Sequence, residues 1–169
     1  MSENLDVSGL LEQMLAQIQD RLRLGQMDAP LMIGIHTGGV WIAEHLHKQL
    51  DLQEELGTLD ISFYRDDFTR IGMNPQVRPS KLPFSVDDRH IILVDDVLHT
   101  GRTVRAAMNE LFDYGRPASI MLAVLIDRGG RELPIQAEIV GKVLQLPAGE
   151  EVKLTGPKPL KLVIQKKTQ

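Results

Sequence analysis

Residues 90–103 read HIILVDDVLHTGRT, in which four aliphatics run into two adjacent carboxylates and then a Thr-Gly-Arg-Thr turn. An apolar run of this kind is a buried strand, and acids at its carboxyl end stand where an open parallel sheet receives its ligands. The turn after them enters a helix, whose unpaired N–H groups and dipole favour an anion such as a phosphate. Thr100 and Thr103 add hydroxyl donors, Gly101 lets backbone approach a ligand closely, and Arg102 adds a fixed positive charge. Carboxylates suit the vicinal hydroxyls of a ribose and the anion-binding turn suits its 5-phosphate, so one phosphorylated sugar would satisfy both. Taken singly, Asp95 or Asp96 could cap the turn and Thr103 could cap the helix; the continuity of the stretch favours a site.

Working outward, the helix after Thr103 carries Val104, Ala107, Met108, Leu111 and Phe112 on one side and stops at Gly115. SIMLAVLI (119–126) is then a continuous buried strand. Upstream, LMIGI (31–35) leads into HTGG and a second helix carrying Val40, Ala43, Leu46, His47 and Leu50. Before it, Leu10, Leu11, Met14, Leu15, Ile18 and Leu22 mark an amphipathic opening helix with Ser8 as N-cap and Gly25 as its end. LDISFY (59–64) alternates as a strand and is followed by about 25 residues rich in charge, Gly and Pro, a length that marks a functional lid or a disordered segment. Short strands are expected near 137–140 and at LKLVIQ (160–165). The β-α-β-α-β order predicts an α/β fold with a parallel sheet and right-handed crossovers.

The bulk numbers set bounds. A chain of 169 residues fits one domain, and 43% hydrophobic with 25% charged residues is a globular composition. Having no Cys, it can use neither disulfides nor thiolate catalysis nor Cys-ligated zinc, and its five His show no zinc-like spacing. MSENLDVSG lacks the basic and apolar regions of a leader and no stretch is long enough to span a membrane, so a cytoplasmic protein with no membrane contact is expected. A net charge of −4 argues against a surface that grips nucleic acid throughout. The stretch 152–169, with Lys153, Lys158, Lys161, Lys166 and Lys167 and no acid, reads as a solvated tail or an edge strand guarded by lysines.

ILVDDVLHTGRT (92–103) resembles the phosphoribosyl-pyrophosphate (PRPP) signature of type I phosphoribosyltransferases. DISFYRDD (60–67), AAMNELFDYGRPASIMLAVLIDRGGRELPI (106–135) and AEIVGK (137–142) are similar to the PyrR family, bacterial pyrimidine-operon attenuators that also have uracil phosphoribosyltransferase activity. The likeness is close over about 55–142 and looser over 30–50. It implies a single domain with a central, mostly parallel sheet flanked by helices, a flexible loop at about 65–85, and a small hood from about 128 with the N-terminal part.

By this resemblance Asp95 and Asp96 hold the ribose hydroxyls, while His99, Thr100, Gly101, Arg102 and Thr103 wrap the 5-phosphate. Ile35-His36-Thr37-Gly38-Gly39 matches the pyrophosphate-binding turn. A Gly-rich strand-to-helix turn is itself an anion nest, although an ordinary tight turn would look the same. Arg65, on a loop that otherwise reads as a solvated charged segment, would meet departing pyrophosphate. The base would be read by backbone around Leu125 to Arg128, with Ile126 and Arg128 at its edge; a surface Arg before Gly129-Gly130 is the competing reading. Magnesium is implied as substrate-borne, on PRPP, with Asp95 and Asp96 reaching it through water and no direct protein ligand. The implied partners are PRPP, uracil and UMP, a second or further copies of the chain, and RNA.

The chain departs from the family in four places: members often carry a basic residue at His36, Arg at Gly38, His at Gly130 and Arg at Gln136. Each change removes a charge or donor, and the family's Thr and His are not found in LEQMLAQIQDRLRLG (11–25). Weakened sequence-specific RNA recognition is therefore expected. An unperturbed His titrates near 6.5, so pyrophosphate handling through His36 is expected to strengthen towards pH 6; a flat PRPP affinity across pH would contradict this.

Overall fold

A computed structural model describes residues 5–61 and 80–168. Five strands form one parallel sheet: β1 (Leu31–Ile35), β2 (Gly57–Leu59), β3 (His90–Leu98), β4 (Ser119–Asp127) and β5 (Ile139–Val143), ordered β2-β1-β3-β4-β5. Among the described residues three helices cover it: α1 (Val7–Arg23), α2 (Gly38–Leu50) and α3 (Arg102–Tyr114). An antiparallel pair, β6 (Glu150–Thr155) and β7 (Lys161–Lys166), closes the chain.

The alternation of side chains along the strands separates two apolar layers. Met32, Ile92, Val94, Met121, Ala123 and Leu125 pack with Leu10, Met14 and Ile18 of α1 and Ile42, Ala43 and Leu46 of α2. Leu31, Ile33, Ile91, Leu93, Leu122 and Val124 pack with Val104, Ala107 and Leu111 of α3. Each fully buried aliphatic of this kind is worth about 1.5–3 kcal/mol relative to exposure. Both sheet faces are covered, which is why β3 and β4 read as unbroken apolar runs.

Several sequence-based boundaries shift. The N-cap of α1 is Asp6 rather than Ser8: the Asp6 carbonyl accepts the Leu10 N–H at 3.1 Å, and the earlier start brings Val7 into the core. Its end follows expectation. Gly25 N–H donates to the Leu22 carbonyl and Gln26 N–H to that of Arg21, the paired bonds of a Schellman motif. Phe112 does not join the buried side of α3; it is 58% exposed, because it lies about 100° around the helix from Leu111. Strand β2 starts at Gly57 and ends at Leu59, two residues ahead of the expected span, and residues 62–64 lie outside the described residues. The strand expected near 137–140 lies at Ile139–Val143, and β6, where no strand was expected, pairs with β7 to make the lysine-rich end a hairpin rather than a tail.

From β1 the chain steps outward to β2 and then crosses back to β3. The strand order thus reverses between β1 and β3, and such a reversal opens a crevice beyond the carboxyl ends of the two strands. His36-Thr37-Gly38 leaves β1 there, and Asp95 and Asp96 lie in the last part of β3.

Candidate active site

A cavity of about 500 Å³ occupies this crevice, lined on the sheet side by His36, Thr37, Gly38, Trp41, Asp95, Asp96, Val97 and Thr103. Glu151, Val152, Lys153 and Leu154 of β6 complete it. The volume is within the range that takes a small-molecule ligand.

The two acids are fixed by the strand that carries them. Asp95 Oδ1 accepts the Asp96 N–H and Asp96 Oδ1 accepts the Val97 N–H, each at 2.8 Å. Those bonds set the carboxylate orientations. Asp95 is only 5% exposed, a costly place for a carboxylate that serves no purpose.

The turn after β1 is pressed against the same acids. A Cβ at Gly38 would overlap the Asp96 carboxylate, and one at Gly39 would come within 2.5 Å of the Val94 carbonyl oxygen. Gly39 is thus pressed against strand backbone, which leaves no room for a Cβ, whereas a larger residue at Gly38 would have to displace the Asp96 side chain. The His36–Thr37 peptide is cis, the His36 N–H donates to the Leu59 carbonyl at 2.9 Å, and Thr37 caps α2 without a side-chain hydrogen bond.

The turn after β3 is held from behind. Gly101, at φ +94°, is the N-cap of α3, so Thr103 is not the cap and its side chain reaches the cavity. His99, Thr100, Gly101 and Arg102 are not among the lining residues. Arg102 turns away to pair with Glu132 at 3.3 Å. His99 Nδ1 lies 2.8 Å from the Gly129 carbonyl, which can only accept, so this nitrogen carries the proton. Asp127, at the end of β4, receives the Gly129 N–H at 3.0 Å and Arg131 Nη2 at 2.6 Å. Burial alone would raise its pKa, but the Arg131 hydrogen bond, the Gly129 bond and the Arg131 charge outweigh it and hold it below the usual carboxylate value.

Of the expected site residues, the cavity brings together His36, Thr37, Gly38, Asp95, Asp96 and Thr103. Ile126 has a fully buried side chain in the core, and Arg128 does not line the cavity. Arg128 instead donates through Nη2 to the Glu150 carbonyl at 3.1 Å, and its Nε is buried with no hydrogen-bond partner. Arg65 lies outside the described residues. Trp41 and residues 151, 152 and 154 were not anticipated; alternation in EEVKLT opposite KLVIQK was the available signal. Among the charged linings, Asp95, Asp96 and Glu151 face a single lysine, Lys153. A polyanionic ligand would need to bring cations with it, and two carboxylates beside substrate phosphates are the usual protein share of a Mg²⁺ site. Among the described residues no group of three His, Cys, Asp or Glu forms a metal cage.

A parallel sheet of this order, with acids and a phosphate-type turn at its reversal point, defines the type I phosphoribosyltransferase class. The fold is shared with hypoxanthine phosphoribosyltransferase from Staphylococcus aureus, with TM-score 0.63 at 21% identity over 86% of this chain and 79% of that one. It is also shared with a hypoxanthine-guanine phosphoribosyltransferase from Bacillus anthracis, with TM-score 0.65 at 17% identity over 85% of each chain. The family model described as "Phosphoribosyl transferase domain" matches residues 7–151. A "Bifunctional protein PyrR" from Nitrosococcus oceani is 61% identical over 164 residues, 96% of this chain and 93% of its own. One from Pseudomonas aeruginosa is 57% identical over 90% of each. The chain belongs to the PyrR family of phosphoribosyltransferases.

Proposed function

We propose that this protein transfers the phosphoribosyl group of PRPP to uracil, giving UMP and pyrophosphate. The observation that carries the reading is the meeting, in one cavity, of Asp95 and Asp96 with the His36–Gly38 turn and Thr103. Asp95 and Asp96 take the ribose hydroxyls; the turn from His99 to Thr103 takes the 5-phosphate; His36, Thr37 and Gly38 take the pyrophosphate. The anomeric carbon gains positive charge as pyrophosphate leaves, so orientation and nearby carboxylates matter more than a strong base. Mg²⁺, arriving on PRPP, supplies neutralisation of the pyrophosphate, and Asp95 and Asp96 are the groups that would meet it through water. By the family resemblance, Arg128 and the backbone at Ile126 form the edge that reads the base. Arg65 would close on the leaving group.

A second role follows from the relatives' description as bifunctional. Regulation of pyrimidine genes through UMP-dependent RNA binding is the family's form of it, and the acidic net charge favours weak RNA recognition here. The family resemblance is what places it in the cytoplasm as a dimer or larger assembly; no helix among the described residues is long and apolar enough to cross a membrane. A spectrophotometric assay with PRPP, Mg²⁺ and a panel of bases tests the main reading. Uracil should be the base consumed; consumption of a purine, or of none, would overturn it. A gel shift with a pyrimidine-operon leader, with and without UMP, tests the second role, and tight UMP-dependent binding would contradict weak recognition.

A further inference from the structure

The turn that follows Asp96 presents an accounting of carbonyl groups that bears on how it receives an anion. Four successive carbonyl oxygens are drawn away to protein donors. Leu98 accepts from the Arg128 N–H at 3.0 Å, and Thr100 from the N–H groups of Glu132 and Leu133 at 2.9 and 3.3 Å. Gly101 accepts from the Arg105 N–H at 3.0 Å, and His99 from Arg131 Nη1 at 3.0 Å. Carbonyl oxygens carry negative partial charge and repel phosphate, so a turn that binds an anion must keep them facing elsewhere. Three of these four are held by backbone N–H groups, which no substitution other than proline removes. The fourth, that of His99, is held by a side chain.

That side chain is locked on every arm. Arg131 Nε donates to the Ile135 carbonyl at 2.7 Å, Nη1 to the His99 carbonyl, and Nη2 to Asp127 Oδ2 at 2.6 Å. It is 24% exposed and Asp127 is 17% exposed, so these bonds are partly shielded from water and the fork has little freedom. The guanidinium therefore joins three places: the end of β4, the segment 131–135, and the first peptide of the turn after β3. Ile135 in turn lies against Gly101, where a Cβ would come within 3.0 Å of Ile135 Cγ1.

We infer that Arg131 is a positioning residue, whose fork keeps the His99 carbonyl turned away from the bound 5-phosphate and so sets the affinity for the phosphoribosyl half of the substrate. The inference rests on the proposed use of the turn. Without Arg131 the His99–Thr100 peptide can rotate, bringing its oxygen toward the anion and misplacing the Thr100 N–H.

The test compares Arg131→Gln, Arg131→Lys and Ile135→Ala with the unsubstituted protein. KM for PRPP, KM for uracil, kcat and Tm are measured, and ribose 5-phosphate is titrated against the fluorescence of Trp41, the chain's single tryptophan, on the cavity wall. Loss of a charge-assisted bond of this kind corresponds to roughly tenfold or more in binding. Arg131→Gln should raise the PRPP KM and the ribose 5-phosphate dissociation constant together by about that factor, with uracil KM moving much less. Arg131→Lys, which keeps the charge but cannot span three acceptors, should fall between. Ile135→Ala loosens the same segment without touching the fork and should lower Tm with a smaller change in either PRPP measure. A lowered Tm in Arg131→Gln with unchanged PRPP KM and ribose 5-phosphate binding would overturn the inference, as would full rescue by Lys. If the unsubstituted protein turns over no base, the proposed function fails, and the ribose 5-phosphate titration still decides the role of Arg131.

Discussion

His36–Gly38 and Asp95–Val97 form one wall of the cavity and Glu151–Leu154 another, and different forces hold them. The first is an extension of the parallel sheet, fixed by backbone ladders, by the close approach of Gly38 and Gly39 to β3, and by carboxylates bonded to their own strand. The second belongs to a two-stranded hairpin, a unit of marginal stability unless its apolar face is covered. Val152 and Leu154 provide that face by entering the core cluster of α1 and α2, and Arg128 ties the hairpin's first residue to the end of β4. The proposed reaction geometry therefore rests on the wall held by the sheet, and the hairpin wall is left for contacts with less demanding geometry. Substitutions on the two should fail differently.

The largest effect is expected at Asp95. Asp95→Asn keeps shape and removes charge at a ligand-facing strand end, so turnover should fall by roughly 10²–10³, the scale of losing a preorganised electrostatic contact, while thermal unfolding by circular dichroism stays near that of the unsubstituted protein. Activity within a few-fold of normal would show that the ribose is not bound there. Gly38→Ala comes next. Its Cβ must displace the Asp96 carboxylate, an overpacking worth about 1–3 kcal/mol, and kcat/KM for PRPP should drop roughly tenfold; unchanged kinetics would mean the two turns act independently. On the hairpin wall, Leu154→Ala should reverse the balance. It removes a buried side chain at a cost of about 2 kcal/mol or more in stability, yet kcat should remain within about threefold, because no sheet-side group shifts. A collapse of kcat matching that of Asp95→Asn would erase the distinction between the walls.

The same division explains what the sequence made visible. The wall on β3 is local in sequence: strand, acids, turn and helix occupy residues 90–103 in order, so their chemistry can be read along the chain. The hairpin wall depends on pairing 150–155 with 161–166 across Gly156-Pro157-Lys158-Pro159, a segment that reads as a breaker, and lysines between Val152, Leu154 and Leu162 disguise the buried face. Trp41 lines the cavity from the first turn of α2, off the apolar face that periodicity picks out. Arg131 reaches residues 99, 127 and 135 at once, and nothing local distinguishes it from the neighbouring Arg128.

The smallest expected effect compares one acid from each side. Asp127 braces the sheet wall through Arg131, and Glu151 lies on the hairpin, where the Gln165 hydrogen bond leads and the charges of Lys153 and Lys167 assist in lowering its pKa despite some desolvation. A carboxylate whose pKa is lower folded than unfolded contributes stability above its unfolded value, and that contribution disappears as pH falls through the folded value. Both contributions should therefore be intact at neutral pH and lost below about pH 4, near the unfolded carboxylate range. Asp127 holds the Arg131 guanidinium at 2.6 Å and the Gly129 N–H at 3.0 Å, whereas Glu151 has the neutral Gln165 amide at 3.0 Å and Lys153 only at 3.6 Å, so the Asp127 contribution is the larger. In Tm measured from pH 7 to 2.5, Asp127→Asn should lie below the unsubstituted protein at neutral pH and converge with it in acid, whereas Glu151→Gln should track it throughout. Convergence in the Glu151 variant alone would place the stiffer wall on the hairpin and invert the assignment of the two sides.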